Sequence, residues 1–511
     1  MWWRFEEAIV ESCETKIRGF EQYRKRVYDE NRRRQRRSSG SPNLLIARRP
    51  ILWDLDSGFD PFHVRTRSGA ISHAVAQKLR KGTYKPFRPA GFRIPKRTGG
   101  DRLVSSFAIA DEVISSKLYR SLLRKNRPRL SARSYAYRDD IGVHDAIMYL
   151  QSEWRGEQRI FLAEFDFTEF FESISHDHIR RSVEALELIM TPLEKRLINA
   201  FLVSPSPYTT VLEKTLPEEP RTRGVLLGTS ISLLLANIAV SPLDRALERM
   251  GVNFVRYADD TLIWSRDYSS ICRAVDEIYD FSARSGVEIN EDKSKGVRLL
   301  VPPKATQAEF TFVHEVEFLS HSIGLRSTAI CHRVLREIRD RIQKILLNNL
   351  LREPLKDTQD FSRLGLLDRD YVSYVWQLRR YLYGHLSESD VRRLSRASVP
   401  RMRLGGVIAQ FPLAIDKKSL QELDGWICTQ TWLAVKKRAS LVGMGSVFMG
   451  PPIPWGLSRE RLLTLKSISS TTGEPVDLRL PSAVRMGALV RRAVKIHGTR
   501  IVGQGATHYG S

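Results

Sequence analysis

The segment Val255-Arg256-Tyr257-Ala258-Asp259-Asp260-Thr261-Leu262-Ile263-Trp264 sets two adjacent carboxylates between apolar, strand-like runs. That pattern predicts a β-hairpin with Asp259-Asp260 at its turn. Surface turns favour Asp on their own account, so the pair alone decides little. Inside an apolar hairpin, however, neighbouring carboxylates repel each other and resist burial unless a cation compensates them. Hard oxygen donors of this kind suit Mg²⁺.

A second apolar run also ends in an acid: Ile160-Phe161-Leu162-Ala163-Glu164-Phe165-Asp166-Phe167-Thr168-Glu169-Phe170-Phe171. Acids at two separate strand ends can converge on two ions about 3.5–4 Å apart, able to activate a hydroxyl nucleophile and steady a leaving pyrophosphate.

Charge points the same way. Lys and Arg total 82 against 58 Asp and Glu, a formal net charge of +24. A balance that basic fits a polyanionic partner, because each neutralised phosphate releases counterions. A merely solvated basic surface is the plainer alternative. The four cysteines, Cys13, Cys272, Cys331 and Cys428, are widely spaced, which argues against a zinc finger and for a reduced, cytoplasmic setting. No apolar run approaches the roughly 18 residues needed to span a bilayer, and no membrane partner is expected.

Tyr257-Ala258-Asp259-Asp260 resembles the Tyr-x-Asp-Asp box of reverse transcriptases, and the Asp166 segment resembles their first catalytic motif. Further likenesses follow the family's order. Ile94-Pro95-Lys96-Arg97-Thr98-Gly99-Gly100-Asp101-Arg102 looks like the fingers motif. Ser134-Tyr135-Ala136-Tyr137-Arg138 with His144-Asp145-Ala146-Ile147 resembles a motif of bacterial and group II intron members. Gly224-Val225-Leu226-Leu227-Gly228-Thr229-Ser230 is similar to the Gly-x-Pro-Gln-Gly-Ser loop. Ser285-Gly286-Val287-Glu288-Ile289-Asn290-Glu291-Asp292-Lys293 resembles the motif after the Asp-Asp box, and Phe318-Leu319-Ser320-His321-Ser322-Ile323-Gly324 the primer-grip hairpin.

The resemblance implies roles. Asp166, Asp259 and Asp260 would be the catalytic carboxylates, holding two Mg²⁺ with Mn²⁺ as a substitute; Phe167 is counted with these metal-site residues. Lys293 would approach the leaving pyrophosphate as a cation or proton donor. Lys96 and Arg102 would neutralise the incoming dNTP triphosphate. Tyr257 and Leu227 are placed at the substrate, and Gly228 would let the backbone approach the template–nucleotide pair. Leu226-Leu227 depart from the family's Pro-Gln and remove a polar contact to the nucleotide or templating base. His178 is expected to cap or pack a helix.

RNA polymerases with this chemistry usually place a second Asp five positions after the first catalytic one. Phe171 stands there, and a ring against the sugar's 2′ carbon leaves no room for a hydroxyl and offers it no hydrogen bond. DNA synthesis is therefore expected, and the resemblance implies an RNA template.

The implied fold is an α/β (α+β) right-hand polymerase, with fingers and an antiparallel palm sheet followed by a helical thumb and helical C-terminal region. Expected divisions are a basic N-terminal arm over 1–50, fingers and palm over 51–325, thumb over 326–400, and an extension over 401–511. The last 30 or so residues read as weakly structured. The run Arg32–Arg37 through Pro42 reads equally as a solvated linker or an RNA-gripping arm. Tyr374, Trp376, Tyr381, Trp426 and Trp432 read as core or oligomer packing.

No His-Asn-His cluster or additional acidic constellation is evident in the sequence, nor a retron's Val-Thr-Gly signature. The arrangement looks like bacterial defence-associated reverse transcriptases, which use a non-coding RNA, oligomerise, pair with a second reverse transcriptase, or polymerise with little template. An intron- or retron-type enzyme, a template-independent or protein-primed polymerase, and an inactive RNA-binding scaffold are the alternatives.

Overall fold

The computed structural model describes residues 4–95, 99–215, 217, 219–305, 307–414, 416–443, 451–468 and 473–503. A nearly continuous apolar run makes the central strand β3 (Ile160–Phe165), while β1 (Ala90–Pro95) and β2 (Asp101–Ser106) pair as a separate fingers hairpin. The palm adds β4 (Asn253–Tyr257), β5 (Asp260–Ser265), β6 (Lys295–Leu300) and β7 (Phe312–Val313), in the order β4-β5-β3-β6-β7. Its pairs are antiparallel, except β6 with β7. Since β3 is central and apolar on both faces, it is buried along nearly its whole length.

One face is covered by helices α2 (Ile109–Asn126), α4 (His176–Ala185), α5 (Ser230–Arg249) and α6 (Tyr268–Ser285). The other is covered by α3 (Val143–Trp154), whose Trp154 meets Trp264 of β5 edge-on at 5.8 Å. Among the described residues α5 alone is long and apolar enough to cross a membrane, longer than the apolar runs anticipated above. Most of it is buried inside the protein against α2 and α4, as a core helix is. His178 fulfils its expected packing role: its Nε2 lies 2.7 Å from the Ala239 carbonyl of α5.

A three-stranded sheet of β8 (Val316–Phe318), β9 (His321–Ile323) and β10 (Thr328–Ile330) leads into α7 (His332–Leu346). With α8 (Arg369–Tyr383), α9 (Lys418–Val442) and α10 (Ala483–His497), α7 encloses one apolar cluster running from Ile330 to Val502. The described residues of 326–400 and of 401–503 thus share a single core. The α10 helix corrects the expectation of weak structure near the C-terminus: Met486, Leu489, Val490 and Ala493 repeat at helical spacing and are buried. Residues 504–511 lie outside the described residues. Of the aromatic residues singled out, Tyr374 is fully buried, whereas Trp376 is exposed.

The N-terminal helix α1 (Phe5–Arg37) is 33 residues long, or about 50 Å. Phe5, Ile9 and Cys13, one turn apart, enter the fingers–palm core. At the other end Arg37 is buried and donates to the Asn348 carbonyl and to Asn349 Oδ1, both at 2.8 Å. The arginine run through Arg37 is therefore helix, where cations complement the helix C-terminus and Glu30 pairs with Arg33, Arg34 and Arg37. Only the following segment is irregular; Asn31 clasps it through two 2.8 Å hydrogen bonds to Leu45.

Candidate active site

Register brings the acids together. Phe165 of β3 pairs with Thr261 of β5, so Asp166, one step on, emerges beside Asp260. Tyr257 pairs with Asp260 across the β4–β5 hairpin, which leaves Ala258 and Asp259 as its two turn residues. Ala258 takes the left-handed conformation this turn requires, with φ +62°. Asp166 and Asp259 are buried and Asp260 partly so.

The turn is gripped from behind by Arg256, which is buried with Asp244 of α5 and donates from Nη1 to the Ala258 carbonyl at 3.0 Å. Sequence reasoning attached no role to Arg256 or Asp244, because the partner comes from a distant helix face. Asn290 was also missed: its Nδ2 approaches Asp166 Oδ2 at 3.4 Å and its amide donates to the Asp166 carbonyl at 2.8 Å. The spacing Asn290-x-x-Lys293, a turn signal, was the available clue.

Lys293 Nζ lies 2.7 Å from Asp166 Oδ2. Burial pushes the ammonium down, but the bond to Asp166 and the charges of Asp259 and Asp260 outweigh it and raise its pKa. Asp260 is pushed up to about 8 by burial, then by Asp259 and Asp166. Such a site holds more negative charge than Lys293 offsets, and the all-oxygen donor set fits divalent cations such as Mg²⁺. Among the described residues no three acidic, His or Cys side chains stand ready to share one ion as arranged here.

Asp166 and Asp260 open onto a cleft of about 520 Å³, which Asp259 does not line. Asp166, Asp260, Tyr257 and Lys293 line one wall, the Phe318–His321 turn another, and Arg333 and Glu337 of α7 a third. Tyr381, Gln410 and Phe411 close it from the C-terminal region, a contribution that no local motif announces.

The remaining substrate candidates are held by their own local packing. Phe171 is buried and meets Tyr137 edge-on at 6.4 Å. The Tyr137 phenol is pushed up by burial and then by Asp259, and is pulled down by Arg102. Arg102 and Asp259 thus both act on the Tyr137 phenol. Lys96, with Arg97 and Thr98, lies outside the described residues. Leu227 packs its side chain on the core and accepts the Ser105 amide at 2.8 Å, tying the loop to β2. A Cβ on Gly228 would fall 1.7 Å from the Ser105 carbonyl oxygen, so Gly228 serves this close approach to β2 as its φ of +128° also requires. Phe167 is buried and bridges to Ile289, locking the Asp166 segment onto the Lys293 segment.

Residues 94–323 match the family described as reverse transcriptase (RNA-dependent DNA polymerase). Over that span the chain is similar to reverse transcriptases. The match includes the hairpin, the Asp166 strand end, the Gly228 loop and Lys293, in a right-hand polymerase fold of mixed helices and antiparallel sheet. No curated protein matches the chain. Solved structures with likeness include telomerase from Candida albicans with a fragment of telomeric RNA, at TM-score 0.39 and 13% identity over 72% of this chain and 66% of that one. Apo telomerase from Candida tropicalis, truncated of its C-terminal domain, gives TM-score 0.38 and 12% identity over 52% of this chain and 60% of that one. The RNA-dependent RNA polymerase of a human picobirnavirus gives 0.33 and 14%, over 46% and 43%. The chain spans less than two thirds of the length of the first two telomerase structures.

Proposed function

We propose that this protein is an RNA-directed DNA polymerase that adds dNTPs to a primer by two-metal nucleotidyl transfer. The observation that carries the reading is the convergence of Asp166, Asp260 and Lys293, from three separate chain segments, on one cleft. Asp166, Asp259 and Asp260 would hold two Mg²⁺, with Mn²⁺ a substitute. When bound, such ions lower the pKa of an attacking hydroxyl and stabilise the leaving pyrophosphate. Lys293 is kept protonated by its acidic neighbours and can neutralise or protonate the pyrophosphate. Arg102 from the fingers, with Lys96, would meet the triphosphate.

Phe171 supports deoxyribonucleotides: a buried ring, backed by Tyr137 and Phe170, cannot swing away to admit a 2′-hydroxyl. The template would be a dedicated non-coding RNA, in the setting of bacterial antiviral defence. Leu226-Leu227 in the template loop support unusual templating there, since both side chains turn to the core and offer no polar contact.

The test incubates purified protein and its co-purifying nucleic acid with Mg²⁺ and labelled dNTPs or rNTPs, then sequences the product. DNA made by the native chain and absent with Asp259→Ala/Asp260→Ala supports the reading. No incorporation, even on a supplied primer–template, would refute it in favour of a scaffold.

A further inference from the structure

Away from the cleft, α1 and the segment after it build a half-open hollow of about 350 Å³, lined by Lys16, Phe20, Tyr23, Arg48, Pro50 and Trp53. Its rings are arranged edge to face. Phe20 meets Trp53 at 5.2 Å, and Phe62 meets Trp53 from another side at 6.0 Å. Arg49, held by Asp60 at 2.8 Å, lies over both Trp53 and Phe62. Aromatic clusters are usually core. These four rings belong to none of the buried apolar clusters among the described residues, and Tyr23 and Phe62 remain 37% and 38% exposed.

The surroundings are cationic. Between Lys16 and Arg37 the sequence has ten basic residues against three acids. Arg24 and Arg48 are exposed, and the Arg24 guanidinium lies 6.0 Å from the centre of the Phe20 ring. A second hollow of about 690 Å³ shares Lys16 with the first and runs along the opening turns of α1 to Gly228 and Thr229, flanked by Lys117 and Arg120. Rings and cations therefore lie along one path toward the template loop.

We propose that the aromatic hollow is a second nucleic-acid site, which holds an unpaired polynucleotide strand by stacking bases on Tyr23 and Trp53 while Arg24 and Arg48 take its phosphates. Rings favour single strands, because duplex bases already have both faces covered, and such stacking accepts any base. That the strand continues over Lys16 to the Gly228 loop rests on the polymerase reading; binding at the hollow does not.

Fluorescence anisotropy on the full chain, with labelled oligo(U), oligo(dT) and an RNA duplex, tests this. Tyr23→Ala should weaken oligo(U) binding about tenfold, and Tyr23→Phe should restore it. Arg24→Glu/Arg48→Glu should flatten the salt dependence of binding. Photo-crosslinks from 4-thiouridine should map to peptides holding Tyr23 or Trp53. The two single-strand arms separate an RNA from a DNA ligand. Crosslinks confined to cleft peptides, native affinity in both the Tyr23→Ala and charge-reversed proteins, or equal binding of the duplex would overturn the proposal. Because Asp259→Asn/Asp260→Asn should retain these crosslinks while abolishing synthesis, failure of this site and failure of the polymerase reading are separable.

Discussion

Arg256 and Asp244 form a fully buried two-pronged ion pair, Nε to Oδ1 at 2.7 Å and Nη2 to Oδ2 at 2.5 Å. The third prong of the same guanidinium holds the Ala258 carbonyl inside the acidic turn. Breaking one side of such a pair strands a buried charge, so Arg256→Met should cost about 3–5 kcal/mol in denaturant unfolding. Asp244→Leu/Arg256→Met should regain most of that stability. It should not regain nucleotide incorporation, because the turn still lacks its donor. Equal recovery of both would show that Arg256 serves the fold alone.

On the proposed function, Phe171 would carry the sugar choice. Phe171→Val should raise ribonucleotide use relative to deoxyribonucleotide use by about tenfold or more in single-nucleotide extension. The same change opens a cavity and should lower the melting temperature. Unchanged sugar preference would reduce Phe171 to a core residue.

Gly228 separates close approach from backbone strain. Gly228→Ala forces a Cβ into the Ser105 carbonyl and should displace the loop, cutting incorporation on the order of a hundredfold. Gly251→Ala also sits at positive φ but meets open space, and should cost only about 1 kcal/mol with activity kept. Primer extension beside thermal melts distinguishes the two.

Acid should unfold the protein partly through Glu194. Burial pushes this carboxyl up, but hydrogen bonds from Lys125, the Thr191 amide and Ser121 prevail and hold it at about 2. A depressed folded pKa gives stability that is present above the ordinary value and is lost as pH falls from about 4.5 toward 2. The contribution is up to about 3 kcal/mol. Glu194→Gln should be less stable at neutral pH and show a flatter acid transition by circular dichroism.

The central hairpin and the strand before Asp166 were legible because their signals are local: short apolar runs with acids at the breaks. The meeting of Asp166 with Asp260 follows from strand register, which the apolar pattern fixes. What stayed hidden depends on distant partners. Asp244 is an ordinary helix acid until α5 sets it against Arg256, and Tyr381 and Gln410 reach the cleft only through the folding of the C-terminal core. The end of α1 was missed for another reason: the five arginines among Arg32–Arg37 look solvated until Arg37 is seen buried against Asn349.

That last contact makes α1 a tie-beam. Its first turns are set in the fingers and its last in the thumb, with no break in the helix between. Any motion that separates the two must bend a continuous rod or release Arg37, so the hand moves as a braced arch. A long template would then be threaded through from the end more readily than clasped from the side.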